Sequence, residues 1–279
     1  MKRILVIFLA IAVLFPSCTK KKKVIGPESG KEVEFTAAVE NYSTTKATES
    51  AFDAGDLVRI IAGNPIKQTT VGSISGAKIL LREPLRWRVK QTEPTTFAAV
   101  YQTGGAVQAT PSLTYDLLSG GKHDYEAHRL FLSAVYTATP SEPVNFKFKH
   151  PFSKVVLNIT NDVAIEKVEI KNLVMKGTFN MEDQTLEILK SKESFEAYKL
   201  SAQSYAAVVM PQVADPEIVV TTSGGKAYTC RLDAPITLEA GYAYSADPTL
   251  TADETTFSFT VVQVAASTAI AVKILFISV

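Results

Sequence analysis

Cysteine is nearly missing from this chain: among 279 residues only Cys18 and Cys230 occur. No disulfide framework and no cysteine metal site can therefore be built. Tryptophan is limited to Trp87, and histidine to His123, His128 and His150. No charge of one sign dominates, since 29 Lys and Arg face 28 Asp and Glu for a formal net charge of +1. With lysines spread along the chain and no aromatic interleaving of the kind single-strand binders use, nucleic acid is disfavoured as a partner. The apolar stretch Ile4 to Phe15 falls short of the ~20 residues that an ordinary spanning helix needs. No serine sits in a G-x-S-x-G elbow, and no glycine-rich loop leads from a strand into a helix, so acyl transfer and nucleotide binding lack their physical supports. The expectation is a protein that is not an enzyme and needs no cofactor.

What is present begins at the N-terminus. Lys2 and Arg3 precede the apolar stretch, and together they form a secretory signal. Pro16 and Ser17 close it immediately before Cys18, which sets a small residue next to a cysteine where a lipoprotein signal peptidase would cut. Cys18 then becomes a lipidated N-terminus; the alternative is a plain secretory signal followed by a chance cysteine. Lys20 to Lys23 form a basic tether, in which each cation near an anionic headgroup gains about 1 kcal/mol. With Cys18 lipidated, Cys230 has no partner within the mature chain, and its place in the alternating stretch Ala227 to Leu232 reads as a buried free thiol.

Beyond the tether the period is two almost everywhere. Val33, Phe35, Ala37 and Val39 alternate with Glu34, Thr36, Ala38 and Glu40; Phe257, Phe259 and Val261 alternate with Thr256, Ser258 and Thr260. Short β-branched runs such as Val155 to Ile159, Ala206 to Met210 and Ile218 to Val220 suit sandwich-core strands. Only the stretches near Tyr115 to Leu118 and Ser191 to Tyr198 could be helical. Turn signals recur at Gly63-Asn64-Pro65, Gly104-Gly105, Gly120-Gly121, Glu182-Asp183 and Gly224-Gly225. The pattern predicts antiparallel β-sandwiches and excludes alternating strand–helix architecture. About 250 residues remain after the signal and tether, enough for two domains with cores of their own. The Thr139-Pro140-Ser141-Glu142-Pro143 cluster suggests the division: residues 1–17 signal peptide, 18–31 lipidated basic tether, 32–143 N-terminal β-sandwich, and 144–279 C-terminal β-sandwich with a terminal strand. His150-Pro151 is an equally good place for the cut.

Candidate chemistry is sparse. His123 and His128, five residues apart, would point to opposite faces of a strand and could chelate only from an irregular segment, so a polar loop after Gly120-Gly121 is the plainer account and no metal site is expected. Glu182-Asp183 falls in a hairpin turn between Phe179 and Leu186, where Asp suits the backbone geometry. Asn41-Tyr42-Ser43 and Asn158-Ile159-Thr160 match the glycosylation pattern by chance. Trp87, flanked by Arg86 and Arg88, reads either as core or as a stacking platform for a sugar ring.

The order of small motifs resembles the fimbrillin-like pilus subunits of Bacteroidales. The segments that carry the likeness are Cys18, the strand Val33 to Val39, Lys46-Ala47-Thr48, Phe52, Gly55-Asp56, and Trp87 ahead of Thr96 to Tyr101. They continue with Val144 to Val155 around Phe148-Lys149-His150, then Lys176-Gly177-Thr178-Phe179, Val209-Met210-Pro211-Gln212 and Gly241-Tyr242-Ala243-Tyr244. The resemblance implies two transthyretin-like antiparallel β-sandwich domains in tandem, in an outer-membrane lipoprotein precursor that ends in a cell-surface fimbrium. It further implies that a trypsin-like protease cuts at Lys46 and removes the strand carrying Val33, Phe35, Ala37 and Val39, and that a terminal strand of another pilus subunit fills the groove. The candidate donor strand carries Ile270, Val272, Ile274 and Phe276 on one face, and pairing of that strand within its own chain is the alternative. Cell adhesion is the implied role, with other pilus subunits and the processing protease as partners; a surface carbohydrate-binding lipoprotein that does not polymerise is the competing expectation.

Overall fold

The computed structural model describes residues 30–40, 52–102, 112–140, 142–161, 163–231 and 234–250, together with the backbone of 259–264 and 270–274. Alternation of buried and exposed side chains sets most of its strands. After β1 (Phe35–Val39), the strands β2 (Leu57–Ala62), β3 (Gln68–Ser75) and β4 (Lys78–Leu81) form an antiparallel meander, and β2 also pairs with β5 (Thr95–Tyr101). Next come β6 (Ser112–Asp116), β7 (Leu118–Ser119), β8 (Lys122–His123), the helical turn α1 (Tyr125–His128), β9 (Leu132–Ala138) and β10 (Val144–Phe148). Seven of these strands make one sheet in the order β10-β1-β4-β3-β2-β5-β9. Its two ends approach each other: Ser133 of β9 and Lys149, just past β10, exchange backbone hydrogen bonds of 2.9 and 2.8 Å. The curled sheet encloses Val58, Ile60, Phe97, Phe146 and Phe148.

The rest of the chain supplies β11 (Ser153–Asn158), β12 (Thr160–Asn161), β13 (Ile165–Val174), β14 (Lys176–Asn180), β15 (Leu186–Ile188) and β16 (Lys192–Glu196). It continues through β17 (Tyr198–Lys199), β18 (Ser204–Val209), β19 (Gln212–Ala214), β20 (Glu217–Thr222) and β21 (Ala227–Arg231). The last five are β22 (Ile236–Leu238), β23 (Ala243–Ala246), β24 (Thr249–Leu250), β25 (Phe259–Val264) and β26 (Ile270–Ile274). A six-stranded sheet, β17-β18-β11-β23-β25-β26, and a four-stranded sheet, β16-β13-β20-β21, share a second core containing Leu157, Val168, Ile170, Val208 and Val220. Sheets built this way put one apolar face of each strand inward, which is the sandwich expected from the period. The all-β class read from the sequence is what the chain adopts, with one four-residue helix among the described residues.

Two local expectations are overturned. The stretch near Tyr115 to Leu118 belongs to strands: β6 pairs with β14, and Leu113 and Tyr115 are buried on its inner face. Ser191 to Tyr198 is likewise extended, with β16 paired to β13 and β17 to β18. In both, backbone groups that could close a helix find better-placed partners across a sheet edge.

The two cores also do not part at Val144. β10 completes the first sheet, because Val144, Phe146 and Phe148 continue the first core's alternation. The segment from β6 to Phe131 crosses the other way and buries Leu113, Tyr115, Leu117, Tyr125 and Phe131 in the second core. β5 is buried on both faces for the same reason: Phe97, Ala99 and Tyr101 face one core while Val100 faces the other.

Candidate strand-acceptor site

β1 is seated inside the first sheet, not laid along its rim. It pairs in parallel with β10 along its whole length, from Phe35 opposite Val144 to Val39 opposite Phe148. On its other edge Thr36 pairs with Lys78 of β4, and Ala37 donates its N–H to the Ala77 carbonyl at 2.9 Å. The backbone on both sides of β1 extends this zipper. Val33 N–H reaches the Leu85 carbonyl at 2.9 Å, Trp87 N–H reaches the Lys31 carbonyl at 3.0 Å, and Glu40 N–H reaches the Phe148 carbonyl at 2.7 Å. Gly30 runs so close to the Trp87 carbonyl that a Cβ there would clash with it. An ion pair between Glu32 and Arg86 and a 2.7 Å hydrogen bond from Thr36 Oγ1 to Asn145 Oδ1 tie down the outer face.

The inner face carries the apolar burial. Val33 and Phe35 are 6% and 4% exposed, while Glu34 between them points to solvent. Phe35 lies edge-on to Phe97 at 5.4 Å and stacked on Phe146 at 5.8 Å. Burial of two such side chains contributes about 1.5–3 kcal/mol each. Trp87 packs beneath them, edge-on to Phe97 at 5.6 Å. Lifting β1 out would therefore expose both main-chain edges, β4 and β10, and an aromatic-lined slot between them.

The remaining sequence-predicted residues are scattered. Ala37 and Val39 are half-buried further along β1. Cys18, Lys46 and Phe276 lie outside the described residues. Ile270, Val272 and Ile274 lie on β26, which pairs with β25 at the edge of the six-stranded sheet, with Val272 opposite Val261. Trp87 is 3% exposed, so no sugar can stack on it, and the version of the carbohydrate reading that uses this tryptophan is lost. Cys230 is a buried free thiol. Glu182 and Asp183 lie in the turn joining β14 and β15, where Thr185 N–H donates to Asp183 Oδ1 at 3.0 Å.

The histidines serve packing. His123 Nε2 is 2.9 Å from the Val208 carbonyl oxygen and 3.1 Å from its nitrogen, and the ring stacks on Phe195 at 5.2 Å. Burial pushes its pKa down to about 4. His128 is buried beside Tyr115, with burial again lowering its pKa. Sequence reasoning missed Gly30, Arg86, Phe97, Phe146 and Asn145, the residues that form the slot around β1. The signal available for two of them was the Val144-x-Phe146-x-Phe148 alternation, whose apolar phase matches that of Val33-x-Phe35.

The fimbrillin-like family model matches residues 45–263. The chain belongs to the fimbrillin-like family. That family consists of fimbrial structural subunits and not of enzymes. The matched region covers most of both cores and leaves β1 and β26 outside it. This fimbrillin-like chain also resembles solved structures. A candidate cell adhesion protein of Bacteroides ovatus superposes with a TM-score of 0.63 at 18% identity, covering 90% of this chain and 99% of that one. One from Bacteroides uniformis gives 0.66 at 16% identity, covering 84% and 99%. The tip fimbrial protein Mfa3 of Porphyromonas gingivalis, with a C-terminal truncation, gives 0.50 at 12% identity, covering 83% and 99%. At these identities the likeness is one of fold. Among curated proteins no match is found.

Proposed function

We propose that this fimbrillin-like protein is a structural subunit, whether stalk, tip or anchor, of a cell-surface pilus that assembles by protease-triggered strand exchange and serves adhesion. The observation that carries the reading is the seat of β1, paired on both edges and burying Val33 and Phe35. A peripheral leader could be trimmed without consequence, whereas loss of this one leaves unpaired main chain and an empty slot that another strand must fill. Family membership and neighbours described as cell adhesion and tip fimbrial proteins support the pilus-subunit role. In this scheme the precursor is held on the outer membrane through lipidated Cys18, and a trypsin-like protease cuts at Lys46. The donor is the strand carrying Ile270, Val272, Ile274 and Phe276 of another subunit, which must first leave the pairing with β25 that it makes within its own chain.

The test is direct. Purified precursor treated with a trypsin-like protease should give a product beginning near Ala47 that forms ladders resistant to mild denaturant. Lys46→Ala should block both. A processed product that stays monomeric at every concentration would remove strand exchange from the account. Anchoring is checked separately: labelled fatty acid should be incorporated by the full chain in its host and not by a Cys18→Ala variant.

A further inference from the structure

We infer that the seat of Phe35 sets the register of the incoming strand, and that it selects Phe276 of another copy of this chain, running parallel to β10. The inference rests on the strand-exchange reading and adds to it a direction, a register and a side chain.

The slot left by β1 is not uniform along its length. Its inner positions hold buried Val33, buried Phe35 in contact with the rings of Phe97 and Phe146, and half-buried Ala37. Along the last ten residues of the chain, one alignment repeats that order of sizes: Ile274 at the Val33 position, Phe276 at the Phe35 position and Ser278 at the Ala37 position. Sliding the strand by two residues would place Phe276 at the Ala37 position and leave Ile274 in the aromatic seat. The opposite face offers only Leu275, Ile277 and Val279, none of them aromatic. An aromatic ring in edge-on and stacked contact with two others gains geometry-dependent attraction that an aliphatic side chain does not replace.

The outer face is consistent with this register. Asn145 and Lys147, opposite Thr36 and Ala38, help line a cleft of about 1130 Å³ with Val135, Leu186 and Ile188 on its walls. Ile277 and Val279, which the register turns outward at the Thr36 and Ala38 positions, would border that partly apolar cleft.

Two measurements test the register. The first needs no assembly. In the full chain, Val33→Ile, Glu34→Leu, Thr36→Ile and Ala37→Ser together write Ile274 to Ser278 into β1 in the proposed alignment. A second variant, Glu34→Lys, Phe35→Ile, Thr36→Leu and Ala37→Phe, writes Val272 to Phe276 there instead. The first should melt within about 3 °C of the parent, and the second about 5–10 °C lower, because it empties the ring seat and moves the ring to the half-buried Ala37 position. Equal melting of the two variants overturns the register.

The second measurement tests the occupant. Between protease-treated copies, Asn145→Cys should form a disulfide with Ile277→Cys and not with Leu275→Cys, since Asn145 faces the Thr36 position. Cross-linking at 275 in place of 277 overturns the register. If neither cross-link forms, strand exchange by this terminus is overturned along with the register, while the melting comparison still reports on the seat itself.

Discussion

Phe35 touches two other aromatic rings, Phe97 and Phe146, so its truncation tests the slot at the scale of one residue. Phe35→Ala should cost about 3–5 kcal/mol, the usual penalty for emptying a buried aromatic site that relaxes only in part. Thr36→Ala, on the outer face of the same strand, should cost about 1 kcal/mol for its one hydrogen bond to Asn145. Urea unfolding of the two variants beside the parent separates a strand that holds the sheet together from one that merely lies along it. His123 offers a pH test. Burial holds its folded pKa at about 4 against an ordinary 6.5, so protons bind the unfolded chain more readily than the folded one. Its contribution is fully present above pH 6.5, is lost progressively as pH falls toward 4, and is constant below that. For this half-buried ring the effect is on the order of 2 kcal/mol. His123→Gln should flatten much of the fall in urea midpoint between pH 7 and 5, leaving a smaller slope from His128, whose pKa is lowered in the same direction.

At the scale of elements, the four-stranded sheet is stitched by one carboxylate. Glu217 on β20 takes Lys171 Nζ of β13 on one side at 3.0 Å and Arg231 Nε of β21 on the other at 2.6 Å. The three residues stand directly opposite one another in register. Hydrogen bonds from Lys171 and Arg231 hold the Glu217 pKa below its ordinary value of 4.5. The stabilisation is therefore present above that value and lost as pH falls through the folded pKa. Glu217→Gln should lower stability by about 1–3 kcal/mol at pH 7, and its gap from the parent should shrink as the solution is made acidic. Cross-strand neighbours of this kind were not legible in the sequence. A period of two tells which side chains share a face but not which strand lies alongside. Thus the alternation of Val33 to Val39 was readable, while its parallel partner, with Asn145 lying 109 residues beyond Thr36, was not. The same limit let Ser191 to Tyr198 read as helix, since its strand partners are distant in sequence. Trp87 as a core residue and the turn at Glu182-Asp183 were readable, because composition and turn chemistry are local properties.

At the scale of the whole molecule, the two cores are woven together. β10 lies C-terminal to the Pro-rich cluster yet pairs with β1, and β6 lies N-terminal to it yet pairs with β14. A chain divided between Pro143 and Val144 would lose β10, with buried Val144, Phe146 and Phe148, from the first sheet. It would also lose from the second core Leu113, Tyr115, Leu117, Tyr125 and Phe131. Each omission removes several large side chains at about 1.5–3 kcal/mol apiece, against a typical domain stability of about 5–15 kcal/mol. Residues 30–143 and 144–279 produced as separate chains should therefore each unfold without a sigmoidal transition. Mixing them should restore a cooperative melt, because the missing strands are then supplied in trans with their own registers intact. A sharp transition in either half alone would mean that its core closes without the crossing segment, and that the two sandwiches are independent units joined at the Pro-rich cluster.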